Sequence, residues 1–164
     1  TVNVEPFPIG ELLQDVVQKF ALAARDCGVA LDVDAMAAAT MVSGDIALLE
    51  RVLDNLIDNA LRHTPVGGRV TVQSQPRGER VRIAVIDSGP GLTREEAERA
   101  FERFYRGDPG RSTRSGQSGL GLAIVKSILE LHGSNIAVDS QPGHGASFYF
   151  ELPIVTQPAR TAPT

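Results

Sequence analysis

Asn55, Asn59 and Arg62 stand four and then three residues apart in the run Leu48 to Thr64. At roughly 100° per helical residue they fall within about 60° of one another, so two amides and a guanidinium converge on one helix face. An amide oxygen is a hard donor suited to Mg²⁺, and a guanidinium forks onto phosphate oxygens, which together is the chemistry of a Mg-nucleotide site. The same side chains could be the solvated face of an amphipathic helix, and the helix alone does not decide. Its other face is apolar: Leu49, Val52, Leu53, Leu56, Ile57 and Ala60 recur at three- and four-residue spacings and need a core.

Three glycine-rich stretches carry further candidates. Asp87-Ser88-Gly89-Pro90-Gly91 is a tight turn with a carboxylate at its mouth, in which Gly89 and Gly91 permit close backbone approach. Gly119-Leu120-Gly121-Leu122 opens a helix, where backbone N–H groups and the positive dipole end suit phosphates or simply form a hinge. Gly143-His144-Gly145 precedes a closing strand. Between them, Gly107 to Ser118 is rich in Gly, Ser and Arg without a large apolar residue, and reads as a mobile loop.

The elements that must position these residues follow from periodicity. Val2, Val4 and Phe7 suggest an extended lead-in, and Leu12 through Ala24 a single helix from Ile9 that stops at Cys27-Gly28. Val29 to Val33 and Met41 to Ser43 read as short strands, and Asp45 caps the Asn-bearing helix, which Thr64-Pro65 ends. Arg69 to Gln75 and Val81 to Asp87 form a hairpin across Pro76-Arg77-Gly78-Glu79. Thr93 starts a short helix through Ala100. A helix carrying Ile124, Val125, Ile128, Leu129 and Leu131 ends at His132-Gly133, and strands around Ile136–Val138 and Phe148–Leu152 close the chain. The order predicts an α/β two-layer sandwich: one mixed, mostly antiparallel sheet with helices packed on one face. Residues 1–152 are expected to form one domain, and 153–164, rich in Pro, Thr and Ala, a disordered tail.

Composition narrows the function classes. The chain has 164 residues, is 42% hydrophobic and carries a net charge of -4. No Lys/Arg run interleaved with aromatics points to nucleic acid. Cys27 is the single cysteine, which excludes an internal disulfide framework and fits a reducing, cytoplasmic setting. No apolar run approaches the ~18 residues of a membrane span. Gly116 and Gly121 have P-loop spacing, but Leu122 stands where the lysine is required; Gly119-x-Gly121 follows a polar loop and lacks a third small residue at Ile124, so it is not a dinucleotide fingerprint. His63, His132 and His144 form no helical metal pair.

Four pieces in this order resemble the ATP-binding domain of bacterial sensor histidine kinases, within the ATPase group shared with DNA gyrase, Hsp90 and MutL. Leu53 to Pro65 is similar to the N box, Asp87 to Gly91 to the first glycine box, Phe101 to Arg106 to the F box, and Gly119 to Lys126 to the second glycine box. The resemblance covers about Ile9 to Leu152. It implies the Bergerat ATP-binding fold with a flexible ATP lid at about 105–118, and ATP and Mg²⁺ as cofactors. Asn59 would bind the ion, with Asn55 helping to hold its waters and the phosphates. Arg62 and Arg106 would contact phosphates, with Asn55 and Arg106 acting in catalysis. Asp87 would accept a hydrogen bond from the adenine amino group beside Gly89 and Gly91. Gly119, Leu120, Gly121 and Leu122 would bring backbone N–H groups to the phosphates, Ser147 would belong to the last box, and His63 would sit where the family has an aromatic ring or serve the helix dipole. Arg103, Arg111 and Arg114 would serve the lid or be ordinary loop charges.

The His-bearing dimerisation segment of such kinases is not in the sequence, so the chain looks like a catalytic fragment that binds ATP without autophosphorylating. Ser134 stands where a second glycine often follows, and Ala146-Ser147 departs from the usual final box. The resemblance implies a γ-phosphate delivered to a histidine on a separate dimerisation domain, a response regulator downstream, a monomeric fragment, and a homodimeric parent that is a phosphoprotein in the bacterial inner membrane. Two alternatives share the boxes. A gyrase, Hsp90 or MutL-like clamp would need a base where Asn55 stands; an anti-sigma-type serine kinase would phosphorylate a small partner protein.

Overall fold

Alternation and helical period resolve into β1 (Glu5–Pro8), α1 (Ile9–Lys19), α2 (Ala21–Cys27), β2 (Ala30–Asp34), β3 (Met41–Gly44), α3 (Ile46–His63), β4 (Arg69–Arg77), β5 (Arg80–Asp87), α4 (Arg94–Arg99), α5 (Gly121–Leu131), β6 (Ala137–Ser140) and β7 (Ala146–Pro153). These come from a computed structural model that describes residues 1–35, 40–103, 105 and 120–156. The expected lid at 105–118 lies outside the described residues except for Tyr105, as do Phe104, Arg106, Arg111, Arg114 and Gly119. No helix among the described residues is long and apolar enough to cross a membrane.

Five strands form one sheet in the order β2-β4-β5-β7-β6, parallel between β2 and β4 and antiparallel elsewhere. Register makes two faces. Val33, Val72, Val85, Phe148 and Val138 lie in one row across all five strands, and Asp32, Thr71, Ile86, Ser147 and Asp139 in the next, on the opposite side. The first row faces helices α1, α3 and α5, whose Leu13, Val16, Leu53, Leu56, Ile57, Val125 and Leu129 are fully buried. The expected layer sandwich with helices on one face is present. β1 and β3 add a small separate antiparallel sheet that the single-sheet reading did not contain, tied to the main one where Val42 bridges Ile154.

Three boundaries differ from expectation, each for a local reason. The helix expected as continuous from Ile9 breaks at Phe20, whose φ of -94° and ψ of 1° leave the helical region and whose N–H is shared between the Val16 and Val17 carbonyls. The hairpin turn contracts to Gly78-Glu79, because Pro76 stays in strand and pairs with Val81. β2 ends opposite Gln73, so β4 is an edge at Pro76 and the missing N–H costs no ladder bond on that side. The chain also stays anchored past Pro153: Ile154 donates to the Glu79 carbonyl and Val155 to Met41, each at 2.9 Å. An anchored stretch therefore replaces the start of the expected tail, and residues 157–164 lie outside the described ones.

α3 is built to hold its position. Asp45 caps it by accepting from the Leu48 N–H at 3.2 Å. Leu53 is completely buried mid-helix against the sheet. We expect Leu53→Ala to cost about 2–5 kcal/mol, seen as a lower urea midpoint with an unchanged slope.

Candidate functional site

At the end of the sheet where β5 stops, one row on the helix face contains Val70, Asp87, Ala146 and Ser140. Asp87 is buried, and burial pushes its carboxyl above the ordinary 3.8. The Gly89 N–H, donating at 2.9 Å, the Ala146 N–H and the His63 imidazole oppose that rise without cancelling it. The charged form of Asp87 is thus held in an environment that favours it less than water does.

Two glycine turns enclose this carboxylate. Gly91 has a φ of 73° and Gly145 a φ of 75°, conformations that side chains disfavour. A Cβ on Gly91 would overlap the Gln141 carbonyl, and one on Gly145 would overlap the carbonyl of Asp87 itself. At Gly89 a Cβ would stand 2.6 Å from the His63 carbonyl, so the turn also lies flush against the end of α3. Gly143 donates to the Pro90 carbonyl at 2.6 Å. Ser140 joins the two turns: its hydroxyl accepts from the Leu92 N–H and donates to the Gly145 carbonyl, both at 2.7 Å.

α3 supplies the polar flank. Asn59 is buried, with its side chain at the rim of the core. The Asn55 amide nitrogen donates to the Arg51 carbonyl at 3.0 Å, and its Oδ1 meets the first turn of α5, where a methyl on Gly121 would stand only 3.2 Å away. The N-cap residue of α5, Leu120, has no side chain that can cap it, and the first turn carries the positive end of the helix dipole. His63 Nδ1 lies 2.7 Å from the Asn59 carbonyl, a contact that an Nδ1–H satisfies. Asn55, Asn59, His63, Asp87, Gly89, Gly91 and the Leu120-Gly121-Leu122 turn are therefore assembled along α3, around one end of the sheet.

Two predicted site residues are placed otherwise. Ser147 pairs with Ile86 and Asp139 in the row on the open face of the sheet, so its hydroxyl is on the far side from Asp87. The strand alternates, and the neighbour Ala146 occupies the inward position instead. Arg62 makes a 2.9 Å ion pair with Asp58 one turn earlier. Such a half-exposed pair is worth about 1 kcal/mol or less, so it does not hold Arg62 against a stronger anion. Arg106 and Gly119 lie outside the described residues. Sequence reasoning missed Ser140; a hydroxyl at a strand end ahead of a Gly-x-Gly turn was the available signal.

The sequence pattern of histidine kinase-, DNA gyrase B- and HSP90-like ATPases matches residues 44–156. The chain belongs to this ATPase family. The match takes in α3, both glycine turns and β7. Among curated relatives, the sensor-like histidine kinase SenX3 of Mycobacterium tuberculosis is 37% identical over 155 residues, 94% of this chain and 38% of SenX3. The chain thus spans well under half the length of that relative. Among solved structures, the nucleotide-free catalytic domain of histidine kinase ThkA superposes with a TM-score of 0.80 at 28% identity, covering 92% of this chain and 95% of the other. ThkA also appears in a complex with the response regulator protein TrrA, with a TM-score of 0.78 at 26% identity, over 94% of this chain and 42% of that one. Full-length ShkA in complex with AMPPNP matches with a TM-score of 0.82 at 29% identity, over 97% of this chain and 33% of ShkA. The ATPase domain described here is the catalytic domain type of sensor histidine kinases.

Two outcomes follow from the geometry of the ATPase site. Asp87 has a raised folded pKa, so its protonated form favours folding and the ionised form at neutral pH does not. Asp87→Asn should therefore melt above wild type at pH 7, with the advantage shrinking as pH falls through the raised value toward 3.8; a variant no more stable than wild type at pH 7 contradicts the burial argument. Ser140→Ala leaves the half-buried Leu92 N–H and the Gly145 C=O each short of a partner, and should cost about 1–3 kcal/mol in chemical denaturation.

Proposed function

We propose that this domain binds Mg-ATP and donates the γ-phosphate to a histidine on a separate dimerisation domain, from which a response regulator takes it. The observation that carries the reading is the buried Asp87 carboxylate at the base of the paired glycine turns. A ligand amino group donating to it would offset its desolvation, and the glycines let the two turns close on one another beside it. An adenine 6-amino group fits that description. AMPPNP in ShkA and TrrA with ThkA support the nucleotide and the regulator by kinship.

The phosphates would then extend along α3 toward α5. The first turn of α5 would offer backbone N–H groups to phosphate oxygens, Asn55 lies at the junction between the two helices, and Arg62 can exchange Asp58 for an anion. Among the described residues no cluster of three His, Cys, Asp or Glu could cage a metal. The donor set nevertheless fits Mg²⁺, which keeps waters and phosphate oxygens and needs few protein ligands; Asn59 would hold it through the amide oxygen, with Asn55 near its waters. When bound, the ion supplies charge neutralisation at the phosphates.

In the transfer, a ring nitrogen of the acceptor histidine attacks the γ-phosphorus, the bond to the β–γ bridging oxygen breaks, and ADP leaves with that electron pair. The imidazole is itself the nucleophile, so the domain needs to position and neutralise rather than to abstract a proton, which Asn55 could not do. Calorimetric titration with AMPPNP tests the site. Binding should be Mg-dependent, and Asn59→Ala should weaken it about 10- to 100-fold. Label should pass from γ-labelled ATP to a separately supplied dimerisation domain; steady hydrolysis without transfer would favour a clamp-type ATPase instead.

A further inference from the structure

His132 follows the last residue of α5, and its ring makes two bonds of opposite sense. Nδ1 lies 2.8 Å from the Ile128 carbonyl one turn back, which requires a proton on Nδ1. Nε2 accepts the backbone N–H of Asp45 at 3.0 Å, which requires a bare Nε2. Only the neutral ring with its proton on Nδ1 satisfies both. The packing leaves little slack: a methyl on Gly44 would stand 3.4 Å from the ring Cδ2 and would overlap Leu49.

The residue that His132 holds is itself a node. Asp45 caps α3 through Leu48, and its other carboxylate oxygen accepts from the Asn3 N–H at 2.9 Å. α5 and the first half of α3 therefore meet at two points, Gly121 against Asn55 and His132 against Asp45. At 1.5 Å per residue these points are about 15 Å apart along α3 and about 16 Å along α5, so the helices run antiparallel in matched register. A slip at the His132 end moves the Gly121 end by the same amount.

We propose that His132 is a positioning residue for phosphate binding: its neutral imidazole ties the end of α5 to the cap of α3 and so sets where the first turn of α5 meets Asn55. The proposal rests on the nucleotide reading of the site. Protonation would set an Nε2–H against the Asp45 N–H, donor to donor. The Asp45 carboxylate beside the ring is held below the usual carboxylate range by the Asn3 and Leu48 N–H groups.

The test titrates the 164-residue chain with AMPPNP and with adenosine, each with Mg²⁺, at pH 7.5. Adenosine carries no phosphate, so it reads the Asp87 end alone. His132→Ala should weaken AMPPNP about three- to tenfold and leave adenosine unchanged. His132→Gln, which keeps an acceptor, should bind AMPPNP like wild type. Equal losses for both ligands in His132→Ala, or a loss in His132→Gln as large as in His132→Ala, would overturn the proposal. Nitrogen shifts of the His132 ring at pH 7.5 report the tautomer without any nucleotide, and a proton on Nε2 would also overturn it. If wild type binds neither ligand, the nucleotide reading falls, a result distinct from these.

Discussion

The burial of one face of α3 is the constraint on which the rest depends. Leu53, Leu56 and Ile57 are shut between the sheet and the neighbouring helices, and each such side chain contributes about 1.5–3 kcal/mol. Against that, a hydrogen bond at the rim is worth about 1 kcal/mol. Packing therefore fixes the rotation of the helix, and the polar residues take the positions left over. Asn55 faces the first turn of α5, and the His63 end of α3 meets the turn after Asp87, because the apolar stripe allows no other rotation.

Asp87 shows the opposite economy. Its partners on the two adjoining strands are Val70 and Ala146, a setting in which an apolar residue would be at ease. The carboxylate is kept by two turns whose glycines sit against main-chain carbonyls, and by Ser140 bracing those turns from the far strand. Stability is lower where the ligand is expected to enter, and the strain is confined to a few backbone contacts.

Periodicity made most of this legible. The apolar stripe of α3, its Asp45 cap, the hairpin and the helix from Gly121 were all readable because each depends on local spacing or on a capping residue. What was not readable depends on register between distant segments. Whether Ala146 or Ser147 faces inward is set by pairing with β5, and the family resemblance had put the hydroxyl in the site. The split at Phe20 carries no Pro or Gly to announce it. The ties made by Ser140 and His132 join segments 48 and 87 residues apart, which no window along the chain contains.

The parallel pairing of β2 with β4 has a consequence for how the chain reaches this structure. Antiparallel neighbours can zip from a tight turn, but parallel ones need a crossover, and here that crossover contains α3. Pairing β2 with β4 closes a loop that contains α3, so the element that presents the ligand-facing amides must be accommodated as that pair forms. Changes to its apolar face should then appear in the folding rate as well as in the unfolding rate. Freedom to vary that helix is limited by kinetics as well as by chemistry, and the sequence of α3 answers to both.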